Sequence, residues 1–462
     1  MDEDRSRPVL PLASALPVAS APPVTPEAER HHGYAQLGRQ QAGGRPHDQR
    51  AVRPPARQVS LRRHNLALLL QEVAGAGPLS RAELSRRTGL TKASVSTMVD
   101  CLTACGALED VSGDGGARSG PGRPGAPIGL GRTGPVAVGV EVAVDYTSAC
   151  AVDLAGHAGE EVVFAVDNRE LGPDEGMRKA ALAAAEVAAR ACRGGRRLLG
   201  CGLAVPGVVG PSGELWWAPN IAGWVGLHPG PALDDLANRR LGVPVGAKPR
   251  PMAVMVVGNE ANLGAMAELW YGERRGERDF LRISGEIGVG AGVVVHGELL
   301  AGARGAAGEL GHVNVEPDGP LCSCGARGCL EQYAGQEALL AAAGAPDCAA
   351  LVEMASAGHP GALDALGAAG RALGLAVSAT LNVVDVPAVV LGGIYADLAP
   401  WIEGPLGAEL ARRVVGSRFR PVEVRVAAVG REAAMRGAAG AVVHQAMADP
   451  AAFMPELLEP MD

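Results

Sequence analysis

The chain has 462 residues, too many for one ordinary hydrophobic core, and its 47% hydrophobic content is enough to bury two or three. With 20% charged residues and a net charge of −8, its composition is that of a globular protein and excludes a largely disordered one. The acidic start Asp2-Glu3-Asp4 and the lack of an apolar run of about 18 residues argue against secretion or membrane spanning, and predict a cytoplasmic protein with no membrane partner.

The charge is divided unevenly along the chain. Residues 1–135 hold 17 Lys and Arg against 12 Asp and Glu, and the remaining residues hold 25 against 38. This division indicates a basic module on an acidic body, which would repel phosphate backbones and confine nucleic acid to the basic module.

The N-terminal segment, residues 1–57, is rich in Pro, Ala, Arg and Gln and shows no sustained apolar periodicity. So little apolar surface cannot offset the entropy of ordering, and the segment is predicted to be a disordered tail. Nonspecific contact between its arginines and DNA is the alternative.

Residues 58–135 have the pattern of a winged helix-turn-helix domain. An apolar stripe at helical spacing predicts a first helix, namely Leu66, Leu69, Leu70 and Val73. Ser80 and Glu83 predict a capping box at the start of a second helix, and Thr91 predicts the cap of a third after a turn at Gly89.

A wing is predicted from strand candidates at 107–111 and near Ile128, which flank a polar, glycine-rich stretch. Within that stretch a neighbouring glycine and proline would hold Arg123 on extended backbone, suited to the narrow minor groove, with Arg118 assisting.

The third helix is the predicted recognition helix, because the second helix of such a pair lies in the major groove and presents its N-terminal polar residues to base edges. The base-reading candidates are Thr91, Lys92, Ser94, Ser96 and Thr97. Phosphate contacts are predicted for basic residues of the preceding helix, Arg81, Arg86 and Arg87. The alternative is a small helical packing module followed by a linker.

From Val136 onward, strand and helix patterns alternate, which predicts an α/β body of two lobes with a cleft between them. The first lobe is assigned to residues 136–258, with an alanine-rich helix at about 175–192. The second is assigned to residues 259–462, beginning with a helix at 260–271. Return of the C-terminal helix to the first lobe is left open.

A cysteine cluster is the most specific feature of the chain. His312 is followed by Cys322, Cys324 and Cys329, with two glycines that let the loop curl. Three thiolates and one imidazole complete a tetrahedral shell for structural zinc. Free buried cysteines are the alternative. The other six cysteines lie in mostly apolar surroundings, as expected in a reducing compartment.

The stretch around this cluster, GAAGELGHVNVEPDGPLCSCGARGCLEQYAG at residues 305–335, resembles the ROK family of repressors, open reading frames and sugar kinases. The resemblance covers about 61–445 and includes the DNA-binding part typical of the family's xylose- and N-acetylglucosamine-repressor branch. It implies a two-lobe actin/hexokinase-like (ribonuclease H-like) α/β sensor domain behind the winged helix-turn-helix domain. It also implies that His312 binds zinc through one ring nitrogen and a sugar hydroxyl through the other.

The same resemblance places sugar-binding residues around the cluster. It assigns Glu309 and Glu331 as carboxylates that accept bonds from paired hydroxyls, and Asn259 as a sugar ligand. Glu260 takes the position of the kinase base, and Asn220 is a weaker candidate on the opposite lobe. The alternative for either carboxylate is a solvated loop charge.

The phosphate-handling parts depart from the kinase pattern. The family's Asp-x-Gly-Gly-Thr loop appears at 141–145 without glycine or hydroxyl, and Glu286 stands where kinases carry threonine, so that it would repel phosphate. Glu260 replaces an aspartate base, and its extra methylene displaces the carboxylate by more than about 1 Å, although a glutamate can still accept a proton. Gly392 and Gly393 are interpreted as packing or turn glycines, with contacts to ATP as the alternative. We therefore expect no enzyme activity.

The leading hypothesis is a DNA-binding transcription regulator, a repressor, that responds to a sugar or sugar phosphate bound in the interlobe cleft. Two-fold symmetry of a homodimer or tetramer would match a palindromic double-stranded operator. The main alternative is an ATP-dependent, glucokinase-like sugar kinase with an accessory DNA-binding segment. The third is a ligand-independent scaffold protein.

Overall fold

The computed structural model describes residues 58–111, 126–244, 250–274 and 276–458. The predicted tail, the tip of the predicted wing and both of its arginines, Arg118 and Arg123, lie outside the described residues.

The N-terminal module has three helices and a two-stranded antiparallel sheet: α1 (Gln58–Ala76), α2 (Arg81–Thr88), α3 (Lys92–Ala104), β1 (Leu108–Asp110) and β2 (Ile128–Leu130). The predicted stripe of α1 is buried, together with Leu84 and Val95. The Ser80 hydroxyl accepts a bond of 3.2 Å from the Glu83 amide. The Glu83 carboxylate binds Arg86 on its own helix, so the reciprocal half of the predicted capping box is not formed among the described residues.

The first lobe is a five-stranded mixed sheet with helices on both faces. Its elements are β3 (Val136–Val142), β4 (Tyr146–Asp153), β5 (Ala158–Ala165), α4 (Asn168–Ala191), β6 (Leu198–Val205), β7 (Val208–Val209), β8 (Leu215–Trp217), α5 (Pro229–Arg240) and β9 (Val254–Asn259). The strand order is β5-β4-β3-β6-β9, with β3, β6 and β9 parallel. Helix α4 starts earlier than the predicted position near residue 175. Asp167 caps an additional N-terminal turn, and a kink at Gly172 (φ 69°) connects this turn to the rest of the helix.

The second lobe repeats this arrangement. Its elements are α6 (Glu260–Tyr271), β10 (Phe280–Gly285), β11 (Val289–Val295), β12 (Glu298–Leu299), α7 (Glu331–Ala334), α8 (Gln336–Ala343), α9 (Cys348–Ser356), α10 (Pro360–Val384), β13 (Ala388–Gly393), α11 (Ile394–Arg413), β14 (Glu423–Val426), α12 (Ala433–Ala448) and α13 (Pro450–Phe453). The strand order β12-β11-β10-β13-β14 again combines an antiparallel meander with three parallel strands. The expected two-lobe fold is therefore confirmed.

Helix α12 lies between the sheet of the first lobe and helix α6. Both contacts are made backbone to backbone. A Cβ atom at Gly139 of β3 would lie 1.8 Å from the Met435 carbonyl oxygen, and one at Gly437 would lie 1.9 Å from the Leu263 carbonyl oxygen. Glycine at these positions lets the helix approach the sheet and α6 as closely as it does.

The N-terminal module is attached to the body through α1, which packs against α12, α13 and the turn at 455–458. Arg62 donates through Nε to the Leu457 carbonyl at 2.8 Å, and Arg63 pairs with Asp449 at the end of α12. Leu66 and Leu457 are buried in one apolar cluster shared by the module and the body. The N-terminal module is thus packed directly onto the helix that runs between the lobes.

By length and composition α10 could cross a membrane, as could the bent pair α8 and α9 taken together. Half of the most apolar window of α10 is buried in the core of the second lobe. That burial is typical of a core helix in a globular domain.

Candidate functional site: an interlobe cleft beside a cysteine cluster

The cleft between the lobes lies at the carboxyl ends of the parallel strands, where ligand sites of open α/β sheets are found. Its empty volume, which includes space that is open to solvent, is about 800 Å³. The first lobe contributes the turn after β3 and the segment after β6, and the second contributes the start of α6 and the β10–β11 turn. Its walls therefore come from both lobes, so closure of the lobes would change its shape.

All five predicted sugar-binding residues line this one cleft, namely Asn259, Glu260, Glu309, His312 and Glu331. Asn259 caps α6, and its amide nitrogen donates to Glu260 Oε2 at 3.0 Å and to the Gly207 carbonyl at 3.1 Å. His312 Nε2 lies 3.9 Å from Glu309 Oε2. The arrangement presents carboxylate, amide and imidazole groups to one small volume, as recognition of paired hydroxyls requires.

Glu331 is held at the first turn of α7. Its Oε2 accepts a bond of 3.4 Å from the Val289 amide, and Asn220 from the opposite lobe lies beside it. A Cβ atom at Gly288 would approach Glu331 Oε2 to 2.3 Å, so only glycine leaves room for this carboxylate. Asn220, the weaker sequence candidate, is thus placed where the two lobes face each other across the site.

Burial raises the pKa of several cleft carboxyls, because the low-dielectric interior disfavours the charged form. The pKa of Glu260 is well above its usual range, chiefly through desolvation and secondarily through other cleft carboxylates. Desolvation also raises the pKa of Glu309 and Glu331 and lowers that of His312. The imidazole is therefore held in its neutral form, the form that can bind a metal.

The predicted metal ligands form one cluster. The donor atoms of His312, Cys322, Cys324 and Cys329 all lie within 4.8 Å of one another. His312 Nδ1 is 3.7 Å from Cys322 Sγ, and Cys324 Sγ is 3.6 Å from Cys329 Sγ. Ligand atoms at about 2.3 Å from a tetrahedral zinc would lie about 3.8 Å apart, so the donor set fits zinc. A disulfide requires about 2.05 Å and does not fit.

His312 connects this cluster to the cleft. Its Nδ1 faces the thiols, its Nε2 faces Glu309, and its ring packs edge-on against Trp217 of β8, with ring centroids 4.9 Å apart. A ring held on three sides has little freedom to rotate. The sequence resemblance did not identify Trp217 as a support, because only the folded chain brings β8 against the cysteine loop.

The inner end of the cleft contains the segments that were compared with kinase phosphate loops. Glu141 and Glu286 line it, and Val144 and Asp145 line the adjoining part of the cleft. Glu141 Oε1 accepts a bond of 2.8 Å from the Tyr146 hydroxyl. Arg282, on β10, is buried and lines this inner end together with Arg431. Neither Tyr146 nor Arg282 was singled out from the sequence, since each lies on a strand where nothing marks it as functional.

The predicted DNA-reading residues lie at the start of α3, where Thr91, Lys92, Ser94 and Thr97 are exposed. Thr91 caps the helix by accepting from the Ser94 amide at 3.1 Å. Ser96 is half-buried and accepts a bond of 2.9 Å from Arg81, which also pairs with Asp100 at 2.6 Å. Arg81 and Ser96 therefore hold α2 against α3 and would have to exchange partners to contact DNA.

Sequence comparison identifies two matching family models. One described as the ROK family matches residues 137–445, and one described as the IclR helix-turn-helix domain matches residues 68–112. The chain is 27% identical over 393 residues to the xylose repressor of Bacillus spizizenii. The aligned residues cover 84% of this chain and 97% of that repressor. It is also 31% identical over 261 residues to the glucokinase of Thermotoga maritima, and this alignment covers 52% of this chain and 78% of the kinase.

Two solved structures extend the comparison. A ROK family transcriptional regulator, described as a homologue of the E. coli MLC protein, has a TM-score of 0.67 at 22% identity and covers 87% of this chain and 100% of its own. A ROK family glucokinase from Streptomyces griseus, in complex with glucose and AMPPNP, has a TM-score of 0.54 at 27% identity and covers 66% of this chain and 98% of its own. Since the family model spans the sequence from β3 to α12, this chain belongs to the ROK family.

Proposed function

We propose that this protein is a transcription repressor whose affinity for DNA is set by a sugar bound in the interlobe cleft. The observation that carries the proposal is the presence in one chain of a helix-turn-helix module and a two-lobe cleft, matched along 97% of a xylose repressor. By sequence, the glucokinases of Thermotoga maritima and Streptomyces coelicolor match 52% and 54% of this chain, compared with 84% for that repressor.

In this proposal Asn259, Glu260, Glu309, His312 and Glu331 bind the sugar hydroxyls. Zinc would be held by His312, Cys322, Cys324 and Cys329, and when bound it supplies a rigid cross-link for the loop that carries the site. The imidazole, fixed on its Nδ1 side, offers Nε2 to a sugar hydroxyl. Glu309 and Glu331 accept hydrogen bonds from neighbouring hydroxyls, which sets the orientation of the ring.

Helix α12 offers a physical route from the cleft to the DNA-binding module. Its first residues, Ala433 and Ala434, line the inner cavity beside Glu260. Its far end carries Asp449, which pairs with Arg63 of α1. A sugar that binds one arrangement of the lobes better than another shifts the population of that arrangement, and α12 conveys the difference to α1.

We further propose that the protein does not transfer phosphate. In this proposal Glu141 and Glu286 would repel a phosphate at the position it takes in a kinase, and the β-branched Val144 would occupy the place of a loop glycine; both carboxylates and Val144 line the cleft. At the DNA-binding module, we propose that α3 contacts base edges and adjacent phosphates through four exposed residues, Thr91, Lys92, Ser94 and Thr97. A homodimer or tetramer would place two such helices on a palindromic operator.

The test is selection of DNA fragments bound by the zinc-loaded full chain, with and without a panel of sugars. We expect enrichment of a palindromic site and a change in its affinity with at least one sugar. Failure to enrich any sequence would overturn the proposal. ATP consumption over the same panel addresses the enzyme alternative, and turnover that is abolished by Glu260→Gln would identify a kinase.

A further inference from the structure

A buried arginine lines the inner cavity of the cleft without a partner. Arg282 of β10 is only 2% exposed. Its guanidinium makes no ion pair or hydrogen bond with any described residue, and its Nε is a buried nitrogen without an acceptor. Desolvation lowers the pKa of this group, but an arginine side chain stays protonated in proteins. A buried cation of this kind needs a counter-charge to offset the cost of its burial.

The backbone around Arg282 leaves room for the guanidinium. A Cβ atom at Gly264 of α6 would lie 2.7 Å from Arg282 Nη1, and one at Gly392 of β13 would lie 2.5 Å from Nη2. Any larger residue at either position would push the side chain aside. The place of this cation is therefore defined by elements of the second lobe on two sides.

Two of the carboxylates that act on Arg282 are bound to other arginines. Glu268 is its strongest charged neighbour, yet this carboxylate pairs with Arg425 at 2.9 Å and accepts from two backbone amides. Glu432 pairs with Arg436 at 3.3 Å. These carboxylates lower the cost of burying the guanidinium but do not satisfy its donors.

The other two carboxyls are wholly or partly protonated at neutral pH. Desolvation, with repulsion from Glu286, raises the pKa of Glu141 to about 8. Desolvation, with repulsion from Asp145, raises the pKa of Glu286 to about 7. Glu141 is then a neutral carboxyl at pH 7 and Glu286 is only partly ionised, so neither supplies a full counter-charge to Arg282.

Further groups that favour an anion border the same cavity. Arg431 lines it opposite the strand, and its guanidinium pairs with Asp397 at 3.0 Å. The 16-residue helix α12 begins there, and its N-cap residue, Glu432, makes no capping bond with its side chain. The N-terminal end of a helix carries partial positive charge and free backbone N–H groups. The hydroxyl of Ser284, which is 8% exposed, adds a donor.

We propose that the cleft binds a sugar acid, with its hydroxyls in the outer part and its carboxylate in the inner cavity against the guanidinium of Arg282. The inference rests on the proposed sugar-sensing function and narrows its ligand from sugars in general to sugar acids. One molecule can span both parts, because four residues line both, namely Glu141, Glu260, Ser284 and Glu286. A planar carboxylate matches the fork of a guanidinium, which can donate two parallel hydrogen bonds to it.

A carboxylate fits the charge of the inner cavity better than a phosphate monoester. Arg282 supplies one positive charge without a partner, whereas the charge of Arg431 is already shared with Asp397. A carboxylate brings one negative charge, and a phosphate monoester brings about 1.5 to 2 at neutral pH. The excess charge of a phosphate would be opposed by the ionised fraction of Glu286.

The inner cavity also borders the helix that leads to the DNA-binding module. Ala433 and Ala434 form the first turn of α12, and its far end carries Asp449, which pairs with Arg63. A carboxylate bound at the inner end contacts that first turn directly. We therefore expect a sugar acid to change DNA affinity more than its neutral parent does.

The experiment is calorimetric titration of the zinc-loaded full chain at pH 7 with matched ligands. The set contains glucose, galactose and mannose, the corresponding uronates, the methyl esters of these uronates, the 6-phosphates, and gluconate with gluconamide. We expect at least one acid to bind about tenfold more tightly than its neutral parent, the gain of one bidentate charge pair. Its methyl ester or amide has a similar shape without the charge and should bind like the parent. The 6-phosphate should bind more weakly than the acid.

Variants locate the effect. Arg282→Met should abolish the preference for the acid over its ester and leave the affinity for the neutral sugar within about twofold. It should not lower the melting temperature of the ligand-free protein, because an unpaired buried charge does not stabilise a fold. Arg431→Gln should reduce the preference by a smaller factor, which serves as the second test if Arg282→Met does not fold. Arg178→Met, at an exposed arginine of α4, is the control and should change neither affinity.

The outcomes separate this inference from the function on which it rests. Neutral sugars or esters that bind as tightly as the acids would overturn the carboxylate site and leave sugar sensing intact. A 6-phosphate that binds more tightly than every acid would also overturn it. Arg282→Met with a lower melting temperature and an unchanged preference for the acid would assign Arg282 to the fold alone. If neither sugars nor sugar acids bind, the proposed sensing function fails together with the inference.

Discussion

The guanidinium of Arg62, on the first helix of the DNA-binding module, donates a hydrogen bond of 2.8 Å to the backbone carbonyl of Leu457 in the last described turn of the body. The neighbouring Arg63 pairs with Asp449 on the same surface. These contacts join residues nearly 400 positions apart in the sequence, so the first and last segments of the described part of the chain meet where the module is attached. The position of α1 is therefore set by the end of α12.

Replacing Arg62 with Ala should weaken the coupling between sugar binding in the body and DNA binding by the N-terminal module. The loss of this hydrogen bond removes about 1 kcal/mol of docking free energy, so DNA affinity should respond less to sugar while sugar affinity is retained. DNA titrations with and without sugar measure the response. Arg178→Ala, which breaks a surface pair with Glu175 on α4, is the control. An unchanged response in Arg62→Ala would exclude this contact from the coupling.

Replacing Cys322 with Ser should release zinc and weaken sugar binding together, because the loop that carries His312 loses its cross-link. Metal content by mass spectrometry and sugar affinity by calorimetry test this. Cys348→Ser, at a half-buried thiol outside the cluster, should retain both properties. Loss of metal with sugar affinity intact would show that the cluster does not organise the site.

Replacing Lys92 with Ala should weaken binding to all DNA sequences by a similar factor and reduce the slope of log affinity against log salt by about 1. The reason is that Lys92 is exposed at the start of α3, where it can reach a phosphate. Lys179→Ala, on α4 of the first lobe over the Phe164 ring, removes the same charge away from the module. Equal effects of the two changes would contradict a direct contact.

The stability of the ligand-free protein should fall as the pH rises from about 5 to about 8. In that range the unfolded chain has lost the proton of Glu141, whereas burial raises the folded pKa to about 8 and the folded chain still holds it. The folded state binds more protons, so the free energy of unfolding decreases by on the order of 1 kcal/mol per pH unit and levels off above the folded pKa.

Urea unfolding at a series of pH values measures this dependence. In Glu141→Gln the amide mimics the protonated carboxyl, so the decline should be shallower than in the wild type. Glu403→Gln, at an exposed carboxyl, should follow the wild type. Parallel curves for all three proteins would mean that Glu141 is ionised in the folded state.

The sequence predicted those elements whose signals are local. The helix at 260–271 was placed at its observed bounds, because Asn259 is a capping residue and the apolar pattern is continuous. Three short helices, α7 to α9, were not individually predicted, since each is stabilised by packing against α10 rather than by its own pattern. The extra turn of α4 depends on a kink at Gly172 that propensity does not reveal.

The outer part of the candidate site could be predicted for a different reason. Residues from Glu309 to Glu331 are close in sequence, so a motif captures them. In the inner part, comparison with phosphate loops located the segment 141–145 and Glu286. It could not locate Arg282, because this β10 residue meets Glu141 of β3 only in the folded chain. The roles assigned to all these residues stay predictions until the titrations above are made.

The glycine contacts of α12 have a mechanical consequence. At Gly139 of β3 and at Gly437 the backbone of α12 contacts the neighbouring backbone directly, with no side chain between them. A displacement of α6 would therefore move α12 by a similar amount. With 16 residues at 1.5 Å each, α12 is about 24 Å long, and a tilt of about 5° would move its far end by about 2 Å. Under the proposed mechanism it would act as a rigid lever, and a shift of that size at Asp449 would be passed to Arg63 of α1, which pairs with it.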